Sequence, residues 1–111
     1  MRRMARLAVL CGTGMTELAT STPGATAETF RSETPWGEVP CTLVQQGEHE
    51  FLFIYRHHSP DGKVNPPHRV EHRANVHAAT AFGPAAVISV WCVGSMDPDF
   101  PPGVVGVADD M

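Results

Sequence analysis

Five of the six histidines of this chain lie between His57 and His77, and one group among them has a spacing with known chemistry. Within "PPHRVEHRAN", His68, Glu71 and His72 read H-x-x-E-H. On a helix, histidines four residues apart share a face and can chelate one ion, and H-x-x-E-H is the signature of inverted zinc peptidases. Such a site needs a third ligand, commonly a glutamate farther along the chain. No glutamate follows Glu71, and only Asp97, Asp99, Asp109 and Asp110 remain as acidic substitutes. His77 stands five positions after His72, about 140° round a helix of roughly 3.6 residues per turn, and so points elsewhere. The motif fixes three positions only. An amphipathic helix with histidines on its polar face accounts for it as well, and an H-x-x-E-H zinc hydrolase is kept as an alternative.

Three other places are suited to holding an anion. Gly12-Thr13-Gly14 follows an apolar run; glycines let backbone N–H groups turn toward a ligand, and the Thr13 hydroxyl adds a donor. Arg56-His57 follows "FLFIY"; the arginine offers a planar fork to phosphate oxygens and the histidine a further hydrogen bond. "WCVGS", residues 91–95, ends a later apolar run in a Gly94-Ser95 turn. Each also has a plain structural reading: a tight turn, a surface arginine beside a loop histidine, a glycine loop. Their common place is the carboxyl end of a strand, where α/β sheets bind ligands.

The elements that must position these groups follow from patterning. "RLAVLCGTGM" reads as a strand buried on both faces. Residues 19–27 read as a loop, and "ETPWGEVP" turns around Pro35 and Gly37. Residues 41–45 and 50–55 flank Gln46–His49 as a hairpin. Pro-Asp-Gly at residues 60–62 marks a turn, and Pro67 stands near the first turn of a helix. Val70, Ala74, His77, Ala78, Ala81 and Phe82 form one helical face, which Gly83-Pro84 ends. Residues 86–93 read as a second buried strand, and "PPGVVGVADD" as the start of another. A helix between two buried strands predicts a crossover unit in an α/β fold, a mixed central sheet with a flanking helix.

With 111 residues, 42% apolar and 18% charged, the chain suits one globular domain spanning residues 1–111. Net charge is −4 and Lys63 is the only lysine. Phosphate neutralisation along nucleic acid needs clustered cations, so nucleic acid is not an expected partner. No run approaches the roughly 18–20 apolar residues that span a bilayer, so no membrane is expected either. "MRRMARLAVLC" resembles a secretion signal, but its apolar run is short and Gly12, Thr13 and Gly14 interrupt it. Cys11, Cys41 and Cys92 are odd in number and form no C-x-x-C pair. They are expected to be reduced, buried thiols of a cytoplasmic protein.

Taken together, six segments resemble the N-terminal part of the trimeric purine nucleoside phosphorylase and methylthioadenosine phosphorylase family. They are "LAVLCGTGM", "ETPWGEVP", "YRHH", "PPHRVEHRAN", "CVGSM" and "PPGVVGVADD", and they occur in the family's order along essentially the whole chain. The resemblance implies phosphorolysis of purine nucleosides, including the methylthio kinds, to free purine and a pentose 1-phosphate. It implies inorganic phosphate as co-substrate, no metal or organic cofactor, and a homotrimer for the full-length family. Thr13, Arg56 and His57 would hold phosphate; His68, Trp91 and Cys92 would lie on the substrate side. No residue is implied as a catalytic acid, base or nucleophile. The chain departs from the family at Cys11, His58, Glu71, His72, Trp91 and Cys92. Family members are more than twice as long. The chain is therefore expected to be the N-terminal part of the domain, inactive by itself, or else a non-catalytic remnant that binds an anion or a partner.

Overall fold

A computed structural model describes residues 5–12, 15, 17, 21 and 23–109. The first apolar run forms β1 (Ala5–Cys11). Ala8, Val9 and Cys11 are buried because β1 lies inside the sheet, between two parallel neighbours. One neighbour is β4 (His49–Tyr55), and the other is β5 (Ala86–Ser89). β3 (Gly37–Gln46) pairs antiparallel with β4, and β2 (Thr26–Thr34) pairs antiparallel with β3. The five strands run in the order β2-β3-β4-β1-β5.

The expected hairpin is present, closed more tightly than expected. Only Gly47 and Glu48 separate the two strands, and Gly47 takes the left-handed φ of 59° that a two-residue turn favours. At the other turn, Trp36 N donates to Thr34 Oγ1 (3.1 Å), and the same hydroxyl donates to Gly37 O (2.7 Å). That turn joins β3 to β2, a strand the residue pattern does not announce. β2 is polar and mostly exposed; its order comes from pairing with β3 rather than from an apolar face of its own.

After β4 the chain passes through a 3-10 turn (Pro67–Arg69) into helix α1 (His72–Ala81). Gly83 beyond it has a φ of 69°, as a helix stop favours. β4, α1 and β5 form the expected crossover, with β1 lying between the two strands it joins. Ala74, Ala78 and Ala79 bring α1 onto Ala8, Val39, Cys41, Leu52 and Ile54, with Leu10, Leu43 and Phe82 at the margin. Register accounts for this face: Leu10, Ile54 and Cys41 stand opposite one another, as do Ala8, Leu52 and Leu43. The helix turns a slightly different face inward than predicted. Asn75 and Ala79 are buried, and His77 is exposed.

Two expectations are corrected. The strand predicted over residues 86–93 ends at Ser89; all four of its residues are exposed, and among the described residues no strand pairs with its outer edge. Residues 101–109 form no strand and are exposed. Cys92 therefore lies beyond the strand and in solvent, so only Cys11 and Cys41 are buried thiols; all three are free. Burial raises the Cys11 thiol, against a smaller lowering from Arg56, and pushes Cys41 up to about 11. A thiol reagent should modify Cys92 at once and Cys11 and Cys41 only on unfolding, because the thiolate is the reacting form. Three fast equivalents in the native protein would contradict this. Among the described residues, no helix is long and apolar enough to cross a membrane.

Candidate anion-binding site

The three parallel strands end side by side, and the backbone ladder runs one residue past each flank. Arg56 N donates to Cys11 O (3.0 Å) and Val90 N donates to Leu10 O (2.9 Å). Arg56 thus starts on one side of β1, and its side chain reaches the other. Its Nη1 donates to Val90 O (2.7 Å), and its Cζ stands 5.3 Å from the Trp91 ring centroid. The guanidinium passes over Gly12, where a Cβ would stand 3.2 Å from Nη2. A side chain at position 12 would crowd the arginine, so the glycine permits the close approach.

No ion pair among the described residues engages Arg56. One N–H is fixed to a carbonyl and the cation is not neutralised by a carboxylate. A guanidinium oriented in this way is suited to a tetrahedral oxyanion, which accepts from the fork at two oxygens.

The next two residues are held by a loop. The His57 Nδ1 lies 3.0 Å from Asn65 O. A carbonyl only accepts, so Nδ1 carries the hydrogen and donates. In the neutral ring, Nε2 is then an acceptor, and it donates to an anion only as the imidazolium. Tyr55 packs edge-on against this ring at 6.2 Å. His58 pairs with Val64 across the loop, and its Nε2 lies 2.7 Å from Asn75 Oδ1.

The expected site residues distribute as follows. Arg56 and Trp91 meet, with Gly12 beneath. His57 is adjacent in sequence, its ring tied to Asn65. Thr13 lies outside the described residues. The third anion element is corrected: because β5 ends early, Trp91 rather than the Gly94-Ser95 turn reaches Arg56, and Ser95 instead donates to Asp97 O. Trp91 is 67% exposed and its indole N–H donates to Ser89 Oγ. His68 is exposed in the 3-10 turn, and Cys92 is exposed.

The H-x-x-E-H spacing is not realised on one helix. Val70 is extended and α1 begins at His72, so His68 and His72 do not share a helical face. The Glu71 carboxylate accepts from Arg73 at 2.9 and 3.0 Å, which holds its pKa below the ordinary value. No three His, Cys, Asp or Glu residues among the described ones are grouped to hold a metal ion. Two residues absent from the sequence reading, Asn65 and Asn75, connect the site. The available signal was a polar residue at position 75, beside Ala74 and four before Ala79 on the inward face.

The sequence profile of the phosphorylase superfamily matches residues 6–111. The chain belongs to the phosphorylase superfamily. Among its relatives is the 6-oxopurine nucleoside phosphorylase of Pyrococcus furiosus, 34% identical over 111 residues; the match covers 97% of this chain and 38% of that protein. Another is the S-methyl-5'-thioadenosine phosphorylase of Mycobacterium tuberculosis, 36% identical over 90 residues, covering 79% of this chain and 33% of the relative. A methylthioadenosine phosphorylase from an antarctic soil metagenomic library shares the fold, with a TM-score of 0.60 at 24% identity over 79% of this chain and 30% of its own. These matches bear out the family resemblance and the mixed α/β sheet expected from it. This member of the superfamily spans well under half the length of those relatives.

Proposed function

We propose that the chain carries the phosphate-holding edge of a purine nucleoside phosphorylase. The observation that supports this best is Arg56, an arginine with no carboxylate partner among the described residues, fixed across the carboxyl ends of three parallel strands. In the proposed reaction a phosphate oxygen bonds to the anomeric carbon while the C–N bond to the purine breaks. The electron pair leaves with the base, which gains through solvent the proton that the hydrogen phosphate loses. Little covalent chemistry falls to the protein; holding phosphate behind the sugar and stabilising an oxocarbenium-like transition state are what it must do. Arg56 supplies charge and orientation. His57 accepts from a protonated phosphate oxygen when neutral and donates when protonated. Thr13 belongs to the same proposal, as do His68, Trp91 and Cys92 on the substrate side. The reading includes purine salvage in the cytoplasm and a homotrimeric assembly.

The chain alone is expected to release no hypoxanthine or adenine from nucleosides with phosphate. A chimera tests the reading: this chain replaces the matched segment of the P. furiosus 6-oxopurine enzyme. Phosphate-dependent purine release is expected. A chimera that assembles as the parent does yet shows no turnover contradicts the proposal. The exposed outer edge of β5, with Val87 and Ile88 in solvent, supports a second reading, a non-catalytic partner-binding chain. Co-purification with a full-length family subunit would favour it.

A further inference from the structure

We propose that Asn75 is a positioning residue for the anion site, acting through the backbone of Arg56 and the ring of His58. The inference rests on the proposed phosphate site for its functional consequence, though not for its geometry.

Asn75 is 2% exposed, and it is the buried polar side chain of the described residues. Its neighbours on the inward face of α1 are Ala74, Ala78 and Ala79. An alanine would fit that face without placing an amide out of water, and a buried amide is costly unless both of its ends are bonded. Both ends are. Nδ2 lies 3.2 Å from Arg56 O, and Oδ1 lies 2.7 Å from His58 Nε2. The assignment of the two ends follows from chemistry. Arg56 O can only accept, so the amide nitrogen faces it; the oxygen then faces His58, whose Nε2 must carry the hydrogen.

The partner that Asn75 chooses is what connects it to the site. β4 ends at Tyr55, and Arg56 N still has its ladder partner at Cys11 O. Beyond that point, among the described residues, the sheet offers the chain no further backbone partners. Two asparagines replace them. Arg56 O accepts from Asn75 Nδ2, His57 O accepts from Asn65 N (2.6 Å), and His58 O accepts from Asn65 Nδ2 (3.0 Å). Three consecutive carbonyls are thereby tied, one to the helix and two to the end of the loop. Fixing the Arg56 carbonyl fixes the direction in which its side chain leaves the backbone. That direction carries the guanidinium over Gly12 to Val90 O.

The test uses the order of the Arg56 side chain, which packing alone would not change. In phosphate-free buffer, the heteronuclear NOE at Arg56 Nε should be that of an ordered group in the wild type. In Asn75→Leu, which keeps the branched shape at a larger volume and removes both bonds, it should fall to the value of Arg69, an exposed arginine. Phosphate affinity should fall about 2- to 10-fold, because an Arg56 side chain no longer held in place must be ordered on binding. Should Asn75→Leu fail to fold, His58→Ala removes one bond and leaves the helix face intact. A lower NOE and a smaller loss of phosphate affinity than in Asn75→Leu are then expected. A folded variant with the wild-type NOE at Arg56 overturns the proposal. If the wild type shows no phosphate binding, the functional reading of the site fails, and the NOE alone still decides the positioning role.

Discussion

Arg56→Ala should weaken phosphate binding by about 10- to 150-fold. Hydrogen bonds to charged groups contribute roughly 1.5–3 kcal/mol, and about 1.4 kcal/mol is tenfold in a dissociation constant. The substitution removes the cation and the fork together. It also removes the bond to Val90 O and the cation–π contact with Trp91, so a modest loss of stability should accompany it. Arg56→Lys separates these effects. Lysine keeps the charge but not the planar fork or the reach to two oxygens at once, and its affinity should fall between wild type and alanine. Because the Arg56 side chain adds a tie between the end of β4 and Val90-Trp91, Trp91 should gain mobility in Arg56→Ala. Calorimetric titration with phosphate at fixed ionic strength measures the loss; equal affinity in Arg56→Ala and wild type would remove Arg56 from the site.

Ile54→Ala should destabilise the fold by about 2–5 kcal/mol, the range for emptying a buried aliphatic position. Ile54 has 0% exposure and stands between Leu10 on β1 and Cys41 on β3. Its face packs beneath α1. The strands around it are backbone-paired on both sides, so they relax little into the cavity. Against a total stability of roughly 5–15 kcal/mol for a domain, this is a large fraction. Urea unfolding at neutral pH should show a lower midpoint at unchanged slope. A midpoint within error of wild type would mean that α1 does not pack on this face in solution.

How far the residues announced this structure depends on where each element gets its order. β1, β3, β4 and α1 bury apolar residues at strand or helix spacing, and that spacing is visible in the chain. β2 is held by hydrogen bonds to β3, and its polar residues carry no such pattern. β5 shows the opposite case. "AVISVWCV" is apolar enough for a buried strand, yet it forms a short edge with both faces in solvent. Apolarity does not specify a neighbour. For the site, Arg56 was legible because it follows an apolar strand run. Gly12 was legible as part of Gly-Thr-Gly, although its contact with the guanidinium is a tertiary fact. The carbonyl of Val90 could not be read, since any residue supplies one. Asn75 is hidden because the apolar spacing puts His77 on the inward face; a shift of that face by part of a turn exchanges the two. The zinc spacing misled for a local reason. His68 and His72 are four apart, but the backbone between them is extended at Val70.

The proposed oxyanion site is an arginine set across three parallel strand ends, with glycine beneath it. A phosphate titration of the wild-type chain, followed through the Arg56 side-chain and Gly12 backbone N–H signals at constant ionic strength, tests it most directly. Saturable shifts at both groups, absent at exposed Cys92 and lost in Arg56→Ala, are the predicted result. Signals that stay unmoved by phosphate, or that move equally in Arg56→Ala at Gly12, would contradict it.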